Sequence, residues 1–465
     1  MNTKAMDPNA KLSWLERIAY GIGDYAGNLV YSSISAFLLV YYVSVVGVPS
    51  ATAASVMAIS KIFDGVSDLF MGRIVDKTKS KYGKARPWLI RASIPLAICT
   101  VLMFTVPAGL TGTLQIAYIF LTYNLVSTIF YTALNVPYAT LQGLMTTNQY
   151  ERGLLGNFRM LLATFGTMTV NTVVMKLVTA FGGSDTSQFG WTMAMIVLMI
   201  AFVVLNLLTF FFTRERVVDN ASESDKAGKA QGPSVMEALK SLLRNKYWIL
   251  MVIFLFALYF MMSTFFGSNY YFAQYVLGNE GAYSGLANAL SLAQMGIMFV
   301  TPVIMMKVSK RWTGFLGMAI SAVGFLLTFM AGQNVGIVFV ANIIKGLGFG
   351  CGAATMFGML QDAITYGQWK TGVQATGMGN AASSFTMKIG SGLGTAALGW
   401  ILSAGGFDAD PTSASAIASI NVACIWVPLI TCVIGLVCLL LFDLDKYYGK
   451  VVEDLENGRW AGSKN

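Results

Sequence analysis

Lys61, Asp64 and Asp68 stand three and four residues apart in an apolar stretch long enough to cross a bilayer. At about 100° per residue they fall within a narrow arc, so one helix face holds a cation and two carboxylates. An ionised side chain near the bilayer centre costs roughly 2.5–3.5 kcal/mol on insertion scales. Three on one face are tolerated when that face lines a wet cavity or meets partners on other helices. A cluster that only fixes helix packing would balance its charges, whereas this one has a carboxylate more than it has local cations. A spare carboxylate at mid-membrane can hold a proton or a sodium ion and release it elsewhere, which is the chemistry of cation-coupled transport. The stretch then leaves the membrane as a basic loop, with seven Lys or Arg from Arg73 to Arg91.

Few other ionisable residues lie within apolar stretches: Asp24, Arg159, Lys176, Lys345 and Lys388. Asp24 and Asn28, four apart, share a helix face. Tyr131, Thr132 and Asn135 make a polar face just before Pro137. Lys176 and Lys345 are read as structural, being far from their helix centres or able to snorkel to the membrane boundary. Two glycine runs, 346–352 and 390–394, follow no strand and are read as close helix packing rather than nucleotide loops.

The elements that must hold these residues are membrane helices. Of the 465 residues 55% are hydrophobic and 11% charged, against about 25% charged in soluble domains, and the mean hydropathy is +0.63. Windows of about twenty apolar residues give twelve spans. Six lie near 18–46, 51–72, 88–107, 113–141, 154–180 and 190–213, and six near 247–277, 283–306, 313–331, 335–361, 375–404 and 416–442. Arg159 and Lys388 fall in spans 5 and 11, equivalents in a six-plus-six repeat, so each half aims one deep cation at the centre. The loops after spans 2, 6 and 8 are rich in Lys and Arg, whereas those after odd-numbered spans have none. By the positive-inside rule both termini are cytoplasmic. The expected organisation is a six-helix half over 1–213, a cytoplasmic linker over 214–246, a second six-helix half over 247–445 and a cytoplasmic tail over 446–465. Two parallel six-helix halves with pseudo-two-fold symmetry describe the major facilitator architecture, an all-α membrane fold.

Composition also excludes functions. The net charge of +9 belongs to loop anchoring, so no nucleic-acid partner is expected, and the absence of His removes histidine catalysis and histidine metal sites. The five cysteines lie in apolar segments, so neither disulfides nor a zinc site is expected. Residues 1–17 are polar and lack the apolar core of a signal peptide. Tyr41, Tyr42, Trp88, Trp191 and Trp248, at span ends, are read as interfacial anchors.

Several blocks resemble the glycoside–pentoside–hexuronide:cation symporters, a family that includes melibiose permease and the glucuronide permeases. They are YGIGDYAGN at 20–28, KIFDGVSD at 61–68, DKTKSKYGKARPW at 76–88, YTALNVPY at 131–138, the arginine of NFRMLL at 157–162, DAITYGQWKTGV at 362–373 and SSFTMKIG at 383–390. The resemblance runs in order from the first span to the eleventh. It implies that Asp64 and Asp68 belong to a cation site, the place of any bound sodium, with Thr132 and Asn135 as further ligands or lining groups. It implies that Asp24, Asn28, Tyr131 and Arg159 contact sugar and that Lys388 bridges the cation and sugar regions. Lys61, Asp362 and Tyr366 are implied in coupling or gating, and Trp400 is offered as an aromatic platform for a sugar face. The melibiose branch has aspartates where this chain has Asn28 and Asn135 and no acid matching Asp24, so GDYAGN and LNVPY are nearer the glucuronide and pentoside branches.

The function expected is import of a glycoside by proton or sodium symport with alternating access, by a monomer in the bacterial cytoplasmic membrane, with no cofactor and no catalysis. A facilitator or exporter of the same fold is the first alternative. An intramembrane aspartyl protease is the second, since Gly21-Ile22-Gly23-Asp24 matches a GxGD pattern. That enzyme needs a second aspartate on the preceding helix, and here the motif lies in the first span.

Overall fold

A backbone amide inside a bilayer has no water to bond, so helices that satisfy every amide internally are the economical solution. The computed structural model describes residues 11–78, 80–146, 149–216, 235–373, 375–457 and 459–461, and every regular element among them is a helix. Helix α1 (Trp14–Ser33) starts at a capping box, with Ser13 and Glu16 each accepting the other's backbone N–H, and runs on through π-helical stretches Ile34–Leu38 and Tyr41–Val45. Then come α2 (Ser50–Lys77), α3 (Arg86–Met103) and α4 (Gly112–Met145), the last with a π-helical stretch over Leu125–Tyr131. Helices α5 (Gln149–Gly182) and α6 (Gln188–Phe212) complete the first half.

The second half opens with a short amphipathic helix, α7 (Val235–Leu243), before α8 (Lys246–Tyr271), which ends in a π-helical stretch Phe272–Val276. It continues with α9 (Ala282–Val308), α10 (Lys310–Ala331), α11 (Val335–Thr371) and α12 (Thr376–Ala404). Helix α13 is built from Ala414–Asn421, a π-helical stretch Val422–Trp426 and Val427–Leu441, and α14 (Tyr448–Glu456) follows. Among the described residues, nine helical segments are long and apolar enough to cross a membrane. The other three long helices are α1, α2 and α12, the ones that carry Asp24, the Lys61–Asp64–Asp68 face and Lys388.

The chain divides into two compact units, Met1–Gly228 and Lys229–Asn465. In the first, α1 packs on α5 and α6, α3 on α6, and α2 against α4. In the second, α11 lies between α9 and α10, and α8 packs on α12 and α13. The glycine run of α11 makes that sandwich possible. A Cβ on Gly346 would stand 2.3 Å from the Leu290 carbonyl oxygen of α9, and one on Gly348 would stand 2.5 Å from the Gly317 carbonyl oxygen of α10. Alternate glycines thus bring two helices to backbone contact on opposite sides.

Two expectations about anchoring are corrected. Tyr41, Tyr42, Trp191 and Trp248 are buried rather than displayed at an interface. Tyr41, Phe104 and Trp191 pack on one another, and the Trp191 indole donates to the Asp185 carbonyl at 2.7 Å. Their rings tie helix ends together because ring–ring contact uses more of their surface than a headgroup layer would. Lys345 does not snorkel: it is buried, with Nζ 4.7 Å from the Phe265 ring centre and 5.1 Å from that of Phe325. The faces of two rings supply the negative potential that a water shell would otherwise give.

At the end of α6 the chain is fastened to three other helices of its unit. The Glu215 carboxylate accepts the backbone N–H groups of Lys84, Ala85 and Arg86 at 2.8–2.9 Å, capping the start of α3. Gly83, at φ +107°, makes room, since a Cβ there would lie 2.2 Å from the Glu215 carboxyl carbon. The Arg216 N–H donates to the Leu144 carbonyl at 2.8 Å, and its guanidinium pairs with Glu16 at 2.5 Å. Nearby, Arg17 holds Glu151 through two hydrogen bonds of 2.8 and 3.0 Å.

Candidate functional site

The first unit carries two polar centres, and close helix crossings set the first. A Cβ on Gly21 would lie 2.8 Å from the Phe158 carbonyl oxygen, and one on Gly166 would lie 2.6 Å from that of Tyr25, so α1 and α5 touch backbone to backbone. That crossing brings the Arg159 Nε within 2.8 Å of Asp24 Oδ2. The Asn28 amide donates to the Asp24 carbonyl at 2.8 Å and accepts from the Thr167 hydroxyl at 3.3 Å. From α4, Tyr138 stacks on Tyr20 with ring centres 4.8 Å apart, and its hydroxyl donates to the Tyr20 carbonyl at 2.6 Å. The Arg159 guanidinium lies over the Tyr138 ring at 5.2 Å. The arginine is therefore fixed on one side by a carboxylate and on the other by an aromatic face.

The second centre forms around Asp64, which is 5% exposed. One carboxylate oxygen accepts from Lys61 Nζ at 3.2 Å and from the Ser127 hydroxyl at 2.7 Å; the other accepts from the Thr128 hydroxyl at 2.5 Å. Below it the Ser67 hydroxyl lies 3.2 Å from that of Thr132, and the Asn124 amide reaches Ser60 at 2.8 Å. Lys61 also lies 5.9 Å from the Tyr123 ring centre. Ser127 and Thr128 sit in the π-helical stretch of α4, where the extra residue per turn carries both hydroxyls to α2.

Tyr131 precedes Thr132 of the second centre on α4 and lies towards the first. Its hydroxyl is 4.0 Å from where a Cβ on Gly27 would stand, and that point is 3.9 Å from Asp24 Oδ1. Its ring lies 6.2 Å from that of Tyr31.

The structure thus brings Asp24, Asn28, Tyr131 and Arg159 together, and separately Lys61, Asp64 and Thr132. Asn135 is half-buried one turn beyond Tyr131 on α4. Asp68 falls on α2, with its side chain outside the described residues. In the second unit Asp362 pairs with Lys310 at 2.7 Å, and Tyr366 packs edge-on against Tyr247 at 4.7 Å. The Tyr247 hydroxyl donates to Asp443 at 2.7 Å, and this bond, ahead of nearby Lys246, holds the Asp443 carboxyl below its ordinary range. Lys388 and Trp400 both lie on α12 but stand twelve residues apart, about 18 Å along the axis.

Sequence reasoning missed Ser127, Thr128, Ser67, Asn124, Tyr20 and Tyr138. The signal for two of them was present: Asn124, Thr128 and Thr132 repeat at four-residue spacing and extend the polar face of α4 by two turns.

Residues 19–446 match a family model described as MFS/sugar transport protein. The chain is 32% identical to the isoprimeverose transporter of Lactiplantibacillus pentosus, over 95% of this chain and 91% of that one. It is 29% identical to the glucuronide carrier protein homolog of Escherichia coli (strain K12), over 97% of each chain. Among solved structures, a D-xylose-proton symporter has a similar fold at TM-score 0.64 and 11% identity, over 92% of this chain and 96% of that one. The nucleoside transporter NupG is similar at TM-score 0.62 and 14% identity, over 92% and 99%.

Proposed function

Because the chain belongs to the MFS/sugar transport protein family, in its glycoside–pentoside–hexuronide symporter group, and is a transporter rather than an enzyme, we propose that it imports a glycoside together with a proton by alternating access. The observation that carries this reading is the pairing of two polar centres in one six-helix unit, with Tyr131 of one and Thr132 of the other adjacent on α4. The Asp24–Arg159 centre, with Asn28 and the Tyr20–Tyr138 stack, offers donors, acceptors and ring faces suited to a hydroxyl-rich solute. The Asp64 centre offers a buried carboxylate for the coupling ion, with Asp68 beside it in sequence and Thr132 and Asn135 on the facing helix. Twelve spans, two halves joined by the 214–246 linker, both termini in the cytoplasm and a working monomer complete the proposal.

The ion is read as a proton on chemical grounds. Sodium needs several oxygens at once, and Asn135 gives a neutral amide where sodium-using relatives resemble this block but carry a carboxylate. A proton needs one carboxylate whose partners can let it go. Protonating Asp64 removes the charge that holds Lys61, and the freed lysine and the α2–α4 contact then rearrange. Sugar bound at Arg159 acts on the same region through Tyr131, so both ligands bias one equilibrium between outward- and inward-facing states. Asp362, Lys310 and Tyr366 act as a latch on the second unit, and Lys388 contributes to coupling from α12.

The test is uptake of radiolabelled glycosides by proteoliposomes under an imposed gradient of either protons or sodium. Accumulation driven by the proton gradient in sodium-free buffer is expected. Accumulation with a sodium gradient alone, and none with protons, overturns the ion; efflux without gradient-driven entry overturns symport.

A further inference from the structure

The end of α6 carries an inference that goes beyond transport and uses none of the sugar or ion residues. A pocket of about 240 Å³ lies between the start of α1 and the end of α6, lined by Leu15, Glu16, Phe211, Phe212, Arg214 and Arg216. We propose that it holds the phosphate of an anionic phospholipid of the inner leaflet, with an acyl chain laid along α6. Leu15, Phe211 and Phe212 are exposed, as residues facing lipid are. The arginines are what contact with hydrocarbon alone does not account for. The Arg216 side chain is 10% exposed and pairs with Glu16 through Nη2, while its Nη1 is buried with no hydrogen-bond partner among the described residues. Arg214 is exposed and, among the described residues, has no ion-pair partner. Glu16 is spent: one oxygen accepts from Arg216, and the other accepts from the Ser13 N–H and hydroxyl at 3.1 Å. The lining therefore has one positive charge in excess. A phosphate adds acceptor oxygens where the protein supplies a single carboxylate.

From the pocket an apolar stripe runs back along α6. Phe211, Leu208, Val204 and Ile200 follow one another at three- and four-residue spacing, and all are exposed. They span about 16 Å of helix, close to the roughly 15 Å of hydrocarbon in one leaflet. The stripe then enters a groove of about 450 Å³ walled by Ile94, Ile98 and Leu102 of α3 and by Ile196, Ile200 and Val204 of α6. A charged pocket and a chain-wide groove thus lie in line on one helix. A free anion would use the arginines and leave the groove; a helix of another protein would fill the groove and have no need of the two cations. A phospholipid uses both, and its negative headgroup matches the sign of the pocket. Its place in the inner leaflet rests on the cytoplasmic orientation of the α6 end.

The experiment photolabels the full-length protein in phosphatidylethanolamine liposomes doped with either phosphatidylglycerol or phosphatidylcholine, each carrying a diazirine in one acyl chain. Labelled peptides are mapped by mass spectrometry. Label on 94–102 and 196–211 is expected to be about fivefold heavier with phosphatidylglycerol, the weight of one basic residue at an anionic surface. Arg214→Gln should bring the two lipids to parity. Lys307→Gln, which removes an exposed cation from the second unit, should leave the preference intact. Both lipids occupy both leaflets, so the result does not depend on which way the chain is inserted. Equal labelling of the native protein by the two lipids overturns the proposal, which is also the outcome if acidic residues of the linker take the pocket instead. So does a preference that survives Arg214→Gln, or one that Lys307→Gln abolishes, since that would be a response to net charge alone. Loss of the preference on adding glycerol phosphate overturns the lipid in favour of a free anion.

Discussion

Asp64→Asn keeps the size of the side chain and removes the charge on which Lys61, Ser127 and Thr128 converge. If Asp64 is the carboxylate that carries the ion, the amide imitates its neutralised form. The variant is then expected to exchange sugar across the membrane but to lose accumulation, because the ion no longer favours one state over the other. Counterflow beside gradient-driven uptake checks this, and normal accumulation by a well-folded variant would remove Asp64 from the coupling role. A merely structural Asp64 would show instead as a lower melting temperature with Lys61 left unpaired. At this scale the sequence was a partial guide. The Lys61–Asp64 contact was legible because three residues on a helix is one turn. Asp24 and Arg159 each stood out as a charge in an apolar span, but their bond was not legible, since 135 positions separate them. Ser127 was obscured because the π-helical stretch breaks the regular period on which helical faces are read.

Gly348→Leu and Gly296→Ala separate what a small residue does in two helices of the second unit. Even the first carbon of a side chain at 348 would stand 2.1 Å from the Ser321 hydroxyl oxygen and 2.5 Å from the Gly317 carbonyl oxygen, so α10 and α11 must part. Overpacking of this kind costs about 1–3 kcal/mol or more, and a clearly lower melting temperature is expected. Around Gly296 of α9 a Cβ meets nothing within 4 Å. Alanine there should stabilise by about 0.5–1 kcal/mol through the lost freedom of glycine. Thermal melts of both purified variants decide the matter, and equal melting temperatures would contradict the packing role of the α11 glycines. The existence of the long helices was legible from apolar length alone. The fate of their aromatic ends was not, because Tyr41 and Trp191 obey the same end-of-span rule whether they face lipid or one another.

For the whole molecule, the charge asymmetry of the loops predicts which side each faces. In a background without the five native cysteines, single cysteines near Glu280 and Asp408 should react with an impermeant thiol reagent from outside, and those near Lys79 and Lys229 should not. Labelling at 229 from outside would reverse the orientation and the linker assignment together. The fastening of Glu215 to the start of α3 also bears on how the first half is made. Its carboxylate is synthesised about 130 residues after the amides it caps, so those amides must wait on the order of ten seconds at ordinary elongation rates. During that interval the start of α3 lacks this cap. A nascent chain released after Phe212 has all six helices of the half but not the cap. A chain released after Arg216 is four residues longer and can form it. The half is therefore completed by the first residues of what looks like a linker, and the boundary between domain and tether lies beyond the last membrane helix.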